Sequence, residues 1–216
     1  MNSFPHVTPD GPAATLTIPG VDLTKFSVGG MDNNVYLLRC RDTGGQLLID
    51  AADSPDRILA NADAAALSTV VTTHRHGDHV GALKAVVEAG GARSLAHADD
   101  AAAIPVVTET VADGDTITVG GISLKVIHLV GHTPGGIALH LSNPDGPDHV
   151  FTGDSLFPGG VGRTTNPDDF TSLFNDVVTK LFDRFPDDTV IHPGHGDDTT
   201  LGSERPQLAQ WRERGW

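Results

Sequence analysis

The amino-acid sequence predicts an α/β fold in which two β-sheets lie between layers of helices. β-prone segments are followed by a helix in the first half of the chain, and the same order of strands and then helix recurs in the second half. Loops rich in histidine, aspartate and glycine follow several of the strands, and such loops are where α/β folds usually carry their ligands. The 216 residues are enough to bury a large core without cross-links.

The first half of the chain begins with residues 1–13, which are rich in proline and glycine and are expected to form a flexible arm. Residues 14–216 are then expected to form a single domain. Ser54 is placed to cap a helix with Pro55 at its first position, and this helix is predicted to end near residue 66. Glycine-containing turns separate strands predicted at 14–18, 34–40, 46–50 and 68–73.

The second half of the chain repeats this order. Helices are predicted at 80–89 and 98–103, and a last helix near Glu204. A longer helix is predicted at 166–183, where the apolar residues recur at the 3.6-residue period. Strands are predicted at 94–97, 106–110, 116–119, 122–129, 137–141, 150–152 and 189–191.

The net charge of −14 excludes several classes of partner. Nucleic-acid binding requires clustered lysine and arginine, and anionic membranes attract basic segments, so neither partner is expected. Cys40 is the only cysteine, which rules out an intrachain disulfide. The start of the sequence lacks a basic region followed by an apolar one, and no apolar run is long enough to span a membrane. We therefore expect a cytoplasmic protein.

Residues 73–79, Thr-His-Arg-His-Gly-Asp-His, form the most distinctive segment of the chain. Imidazole nitrogens and carboxylate oxygens are ligands that Zn²⁺ and similar divalent cations accept. A surface loop with solvated histidines is the alternative, but it does not explain why further ligand-type residues follow other strands. We therefore interpret four residues of this segment as metal ligands, namely His74, His76, Asp78 and His79.

Further candidate ligands occur where three later strands end. His132 lies in Gly-His-Thr-Pro-Gly-Gly, Asp154 in Thr-Gly-Asp-Ser-Leu-Phe, and His195 in Pro-Gly-His-Gly. Each of these residues has glycine beside it, which permits tight turns and close approach of the backbone. Four strand ends that each carry a ligand indicate a site built on a rigid scaffold.

These motifs, in this order, resemble those of the metallo-β-lactamase superfamily over about residues 33–201. The resemblance implies a four-layer αββα sandwich, in which two mixed sheets are flanked by helices and the metals lie at one edge of the sheets. By motif position, it implies that His74, His76 and His132 bind one metal. It likewise implies that Asp78, His79 and His195 bind a second metal, and that Asp154 bridges both.

Within this superfamily, residues 153–164 and 193–202 resemble glyoxalase II-like thioester hydrolases. The resemblance implies hydrolysis of a small-molecule thioester to an acid and a thiol, by attack of a hydroxide that bridges two divalent metal ions. Asp78 and Asp154 are then the catalytic carboxylates. Zinc is the expected metal, with iron or manganese as alternatives that suit the same ligands.

Full-length glyoxalase II enzymes carry a C-terminal helical domain that helps to hold glutathione. About 20 residues follow His195 here, so that domain is not expected and the thiol carrier and acyl group stay open. The oligomeric state also stays open.

The same motifs are also compatible with three other functions. A persulfide dioxygenase of this superfamily looks similar around the Gly-Arg-Thr run and uses one iron, held by the equivalents of His74, His132 and Asp154. A lactonase would cleave an ester in which oxygen replaces sulfur as the leaving atom. An inactive binding module is the non-enzyme alternative, which the complete set of seven candidate ligands disfavours.

A few residues outside the ligand set also have candidate roles. Asp50 is expected either to orient a ligand histidine or to be a plain turn residue. Arg163 is expected either to bind a substrate carboxylate through two hydrogen bonds or to form a structural ion pair. His97 and His128 are expected to be packing histidines.

Overall fold

Two mixed β-sheets form the centre of the structure, a computed structural model that describes residues 3–215. The first sheet contains seven strands whose spatial order follows the chain. They are β1 (Ala14–Ile18), β2 (Val21–Val28), β3 (Asn33–Cys40), β4 (Gln46–Ile49), β5 (Leu67–Val71), β6 (Arg93–His97) and β7 (Glu109–Val111). Neighbouring strands are antiparallel from β1 to β4 and parallel from β4 to β7.

The second sheet contains six strands, and a separate hairpin lies beside it. The sheet strands are β8 (Thr116–Val119), β9 (Ile122–His128), β10 (Ile137–Leu141), β11 (His149–Gly153), β14 (Val190–Pro193) and β15 (Thr199–Thr200). Their spatial order is β15-β14-β11-β10-β9-β8. Among the described strands of this second sheet, only β11 and β14 pair in parallel. The hairpin consists of β12 (Leu156–Phe157) and β13 (Gly160–Val161).

Helices connect the strands of both sheets. They are α1 (Pro55–Asn61), α2 (Leu83–Gly90), α3 (Ala98–Ala101), α4 (Pro167–Val177), α5 (Leu201–Glu204) and α6 (Leu208–Arg214). A π-helical turn, Val178–Phe182, extends α4, so the helix predicted at 166–183 is close to the observed one. No helix within residues 3–215 has the length and hydropathy needed to cross a membrane.

The side chains of β3 alternate between two cores, because successive residues of a strand point to opposite faces. Tyr36 and Leu38 belong to the core between the two sheets, whereas Val35 and Leu37 belong to the core beneath α1 and α2. A third core packs α4, including Leu173, against the outer face of the second sheet. The layers are therefore helix, sheet, sheet, helix, which confirms the predicted αββα sandwich.

Several elements differ from the sequence prediction, among them the short strands β12, β13 and β15, for which no strand is predicted. Residues 21–28 form β2, where no strand is predicted, and Lys25 in this strand is fully buried against Asp198, 173 positions away. The helix predicted to end near residue 66 ends at Asn61. Asp63 Oδ1 accepts a hydrogen bond from the Ala65 N–H (3.0 Å), and this local bond stabilises a turn in place of further helix.

The segment expected to be a flexible arm is packed at two positions. Residues 3–13 form no helix or strand. Phe4 and Val7 are nevertheless buried, and the Phe4 N–H donates a hydrogen bond to Asp198 Oδ2 (2.9 Å). The flexibility of the segment stays a prediction, and its first two residues lie outside the described range.

Four buried polar side chains form a connected chain that links β2 of the first sheet to β14 and β11 of the second sheet. Lys25 Nζ lies 2.9 Å from Asp198 Oδ1, and Asp198 Oδ2 lies 3.1 Å from His192 Nδ1. His192 Nε2 and His149 Nδ1 share a hydrogen bond of 2.9 Å. Each buried charge thus has a partner of opposite charge or a hydrogen bond, which offsets the cost of removing it from water.

We expect the buried His149 to make stability fall in acid. Burial, followed by the neighbouring His192, lowers the pKa of His149 to about 4, although Asp198 and Asp148 act in the opposite direction. An imidazole in the unfolded chain titrates near ~6.5, so between these two values the unfolded chain binds a proton that the folded chain does not. The free energy of unfolding therefore rises with pH across this window, by about 3 kcal/mol in total.

Urea denaturation of the metal-free protein, followed by circular dichroism at about pH 7 and about pH 4.5, measures this effect. Between about pH 7 and about pH 4.5, the free energy of unfolding of His149→Gln should fall by about 2 kcal/mol less than that of the wild type. His6→Gln is the matched control, because the His6 side chain is 52% exposed. Equal acid dependence in His149→Gln and the wild type would contradict the expectation.

Candidate metal centre

The loops that carry the candidate ligands meet at one place in the sandwich. The loop containing residues 74–79 follows β5, and His132 follows β9. Asp154 follows β11 directly, and His195 follows β14. Every one of the seven candidate ligands belongs to a group whose donor atoms all lie within 4.8 Å of one another. The structure therefore brings the whole predicted set together, from both sheets.

His74, His76 and His132 form the three-histidine group. Their rings meet edge to face, with centroids 4.6 to 4.9 Å apart. His74 Nδ1 donates to Thr73 Oγ1 (3.1 Å) and His132 Nδ1 donates to the Arg163 carbonyl oxygen (2.6 Å). Within residues 3–215, the Nε2 atoms of His74 and His132 are buried without a hydrogen-bond partner. Such unpartnered buried atoms are rare in proteins and suit the binding of a cation.

Asp78, His79 and His195 form the aspartate–histidine group. His195 Nε2 lies 3.1 Å from His79 Nε2 and 3.3 Å from Asp78 Oδ2. The opposite ring nitrogens are held from behind, since His79 Nδ1 donates to Asp50 Oδ2 (3.0 Å) and His195 Nδ1 donates to the Met31 carbonyl oxygen (2.8 Å). The two Nε2 lone pairs then face each other and repel, unless a proton or a cation lies between them.

The carboxylate of Asp154 lies between the two groups. Its Oδ2 lies 3.5 Å from His132 Nε2 and 3.4 Å from His195 Nε2, and its Oδ1 lies 3.4 Å from His79 Nε2. Two ligand atoms of one tetrahedral zinc ion, each about 2.0–2.1 Å from the metal, are roughly 3.3 Å apart. A direct charge-assisted hydrogen bond would be shorter, at about 2.7–2.9 Å. The spacing therefore fits divalent cations held among these residues.

Most of these groups are held in the form that binds metals. Burial raises the pKa of Asp154, but the adjacent imidazoles of His195 and His79 hold it well below its usual range. Burial, together with repulsion by His79, lowers the pKa of His74. For His79, burial lowers the pKa, but contacts with Asp154 and Asp50 raise it to about 10. Burial lowers the pKa of His195 too, but contacts with Asp154 raise it above its ordinary value. A cation would have to compete with protons at both histidines, because metal ions bind neutral imidazole.

Asp50 lies directly behind the ligand loop. Its Oδ1 accepts from the Thr73 N–H (2.7 Å), and its Oδ2 accepts from Thr73 Oγ1 (2.7 Å) as well as from His79 Nδ1. Asp50 is buried, and its φ of +57° is the left-handed conformation of a turn residue. The structure therefore places Asp50 both at a turn and in contact with a candidate ligand.

The strand β3 holds two of the ligand loops, and sequence reasoning did not find this role. Asn34 Nδ2 and Tyr36 Oη both donate to the Pro193 carbonyl oxygen, at 2.9 and 2.7 Å. Asn33 Nδ2 donates to Asp78 Oδ2 (3.0 Å). Pro193 is 159 positions from Asn34 in the chain, so no local pattern reports the contact.

Arg163 faces an open cleft of about 370 Å³ that is also lined by His132, Asp154 and Phe157. Within the described range 3–215, the guanidinium forms no ion pair or hydrogen bond, and only the Arg163 carbonyl oxygen is engaged. The structural ion pair expected as one alternative for Arg163 is therefore not formed. Its charge is left available to an anionic group in the cleft.

His97, Asp99 and His128 bring three more donor atoms within 4.8 Å of one another. The two imidazoles are stacked, however, with centroids 3.8 Å apart and only 20° between the planes. Their in-plane lone pairs then run nearly parallel and do not converge on one ion. His128 Nε2 also donates to the Pro134 carbonyl oxygen (2.8 Å), so the pair has the character of packing histidines.

The sequence model of the metallo-β-lactamase superfamily matches residues 28–195. The chain belongs to the metallo-β-lactamase superfamily. The fold of that superfamily implies binding of divalent metal, and the grouped histidines and aspartates could supply the ligands.

Several known proteins are similar to the chain. A hydroxyacylglutathione hydrolase from Polaromonas sp. is 37% identical over 165 residues, which are 74% of this chain and 60% of the relative. The chain thus spans about three fifths of that relative's length. The solved structure of TTHA1623 in a di-iron-bound form matches with a TM-score of 0.69 and 32% identity, over 84% of this chain and 96% of that one. ETHE1 from Myxococcus xanthus matches with a TM-score of 0.76 and 28% identity, over 87% and 84%.

We expect that metal binding at the candidate metal centre requires glycine at position 194. A Cβ at this position would lie 2.2 Å from Asp154 Oδ1 and 2.7 Å from His79 Cε1, so one of these groups would have to move. We expect Gly194→Ala to bind less metal and to lose about 100-fold or more in kcat/KM, because a displacement of about 1 Å can cost that much. Elemental analysis of the purified variant and steady-state kinetics measure both effects.

Gly30→Ala is the matched control, because nothing lies within 4 Å of a Cβ at Gly30. This variant should retain the metal content and activity of the wild type. Full metal content and activity in Gly194→Ala would show that the close approach of the Gly194 backbone to Asp154 is not required.

Proposed function

We propose that the protein hydrolyses a small-molecule thioester to an acid and a thiol at two divalent metal ions. The observation that carries this proposal is the position of the Asp154 carboxylate, 3.4 to 3.5 Å from imidazoles of both ligand groups. The similarity to a hydroxyacylglutathione hydrolase supports thioesters as the substrate class. The thiol carrier stays open, because the chain spans only 60% of that relative.

The seven candidate ligands would hold two metal ions. The three-histidine group with Asp154 would hold the first ion, and the aspartate–histidine group with Asp154 would hold the second. Zinc is the metal that we propose, since nitrogen and carboxylate donors suit it, and iron or manganese would suit the same donors. Bound divalent ions supply an activated water near neutral pH and polarise the substrate carbonyl.

The residues of this chain orient the reaction. Asp78 is partly exposed and receives a hydrogen bond from Asn33 Nδ2 (3.0 Å), which fixes the carboxylate where it can bind the second ion and accept a hydrogen bond from the attacking water. Arg163 in the cleft would bind a carboxylate of the substrate. A thiolate leaves readily because thiols have a pKa near ~8.5, so no additional proton donor is needed.

A mononuclear-iron persulfide dioxygenase is the second candidate function. The structural similarity to ETHE1 from Myxococcus xanthus is the observation that favours it. His74, His132 and Asp154 would then hold the iron, and Asp154 Oδ2 lies 3.9 and 3.5 Å from the two Nε2 atoms.

Metal analysis of the purified protein, combined with two assays, separates the candidates. The proposed function predicts two metal ions per chain and hydrolysis of acyl thioesters, with no oxygen uptake on addition of glutathione persulfide. One iron per chain with oxygen uptake would overturn the proposal in favour of the dioxygenase.

Asp154→Ala is expected to remove both metal binding and hydrolysis. Loss of a shared ligand should lower kcat/KM by at least about 100-fold, because metal polarisation contributes several kcal/mol and ~1.4 kcal/mol corresponds to a factor of ten. Metal content and the rate of thioester hydrolysis are the measurements. The exposed Asp188→Ala serves as the control. Hydrolysis near the wild-type rate with full metal content in Asp154→Ala would rule out this mechanism.

A further inference from the structure

We propose that Asp100, which is not a candidate ligand, is the positioning residue that sets the geometry of the three-histidine group. The proposal rests on the proposed metal centre, but it concerns how tightly that group binds metal rather than which substrate is cleaved. Asp100 lies in α3, immediately after β6, and is 1% exposed. It is one of few fully buried carboxylates, and burying a carboxylate is costly unless it is hydrogen-bonded.

Both carboxylate oxygens of Asp100 accept hydrogen bonds from the ligand loops. Oδ2 accepts from the Arg75 N–H (3.0 Å) and from Thr133 Oγ1 (2.6 Å). Oδ1 accepts from the Gly135 N–H (3.0 Å) and lies 3.7 Å from Arg75 Nε. These partners are 25 to 35 positions away in the chain, so the contacts are tertiary rather than local.

The partners of Asp100 are neighbours of the three histidines. Arg75 stands between His74 and His76 in the chain, and Thr133 follows His132. One buried carboxylate thus joins the loop after β5 in the first sheet to the loop after β9 in the second sheet. The relative position of these loops decides whether the three imidazoles can meet one ion.

Gly135 shows that the approach of Asp100 to the second loop is close. A Cβ at Gly135 would lie 2.6 Å from the Asp100 nitrogen and 2.8 Å from its Cβ and Cγ. Only glycine leaves room for the carboxylate at this distance. The first glycine of the Gly-Gly pair in the His132 motif, Gly135, therefore has a structural reason that involves Asp100 rather than metal binding.

Asp50 and Asp100 have separate roles. Asp50 contacts His79 Nδ1 directly, in the aspartate–histidine group. Asp100 contacts neither that histidine nor any other residue of the aspartate–histidine group among the described contacts. Loss of the Asp100 carboxylate should therefore weaken metal binding at the three-histidine group and leave the other group nearly unchanged.

Asparagine cannot replace Asp100 in this arrangement. All the groups that face the carboxylate are donors: two N–H groups, one hydroxyl and one guanidinium. The amide of asparagine has one acceptor oxygen, so its NH₂ would face a donor at the other position. The shape is retained while the hydrogen bonds that tie the loops are broken, which makes Asp100→Asn an informative variant.

The test is competition for Zn²⁺ between the metal-free protein and a chromophoric chelator, with the two binding steps fitted separately. In Asp100→Asn, the affinity of one site should fall about 10- to 100-fold, as for other residues that hydrogen-bond around metal ligands, and the other site should keep its affinity. Asp99→Asn is the matched control in the same helix, because the Asp99 side chain is 59% exposed and contacts His97 instead of the loops. It should bind Zn²⁺ like the wild type.

A second pair of variants covers the outcome in which Asp100→Asn does not fold. Thr133→Val removes one hydrogen bond to Asp100 and should weaken the same site, whereas Thr133→Ser keeps the hydroxyl and should restore wild-type affinity. A lower melting temperature of the metal-free Asp100→Asn protein with unchanged Zn²⁺ affinities would overturn the proposal, and so would equal weakening of both sites. Thioester hydrolysis is measured separately. A wild-type protein that binds two Zn²⁺ but cleaves no thioester would refute the proposed function, while the affinities would still decide the role of Asp100.

Discussion

The rest of the site depends on the contacts between the Asp154 carboxylate and four imidazoles. Its oxygens lie 3.4 to 3.9 Å from the Nε2 atoms of the histidines that it faces. Without a cation, these groups are too far apart for strong hydrogen bonds, and several nitrogen lone pairs face one another. The surrounding structure therefore has to hold these candidate metal ligands close together. It does so through hydrogen bonds to the ring nitrogen of each imidazole that faces away from Asp154.

Each of these hydrogen bonds comes from a different part of the fold. An oxygen of Thr73 supports His74, the Arg163 backbone supports His132, and the Met31 backbone supports His195. A ring nitrogen that donates in this way leaves the other nitrogen free to bind metal, which is the usual arrangement around metal-bound histidine. Because the supporting groups lie in both halves of the chain, the site can form only when the two sheets have packed against each other.

The prediction of the fold from sequence succeeded where the pattern was local. The apolar residues at the 3.6-residue period predicted the helix at 166–183, and most of the strands appeared where β-prone segments were bounded by turns. The prediction failed at β2, where Lys25 occupies a fully buried position because Asp198 neutralises it. It also extended α1 too far, since a side-chain hydrogen bond of Asp63 competes with the helix. In both cases a hydrogen bond or ion pair of a polar side chain decides the structure, and the hydrophobic pattern of the sequence does not show such contacts.

The sequence by itself predicted two sheets between layers of helices and the set of donors, because the order of strands and helices and the ligand-type residues at strand ends are local properties of the chain. The αββα sandwich followed from the resemblance that the ordered motifs carry. Tertiary structure alone decided how those donors are arranged. It placed Asp154 between two groups, put Asp50 behind His79, and let Asp100 join two loops from different sheets. These contacts link residues tens of positions apart, and their distances are set by how the two sheets pack. No spacing within a motif can report them.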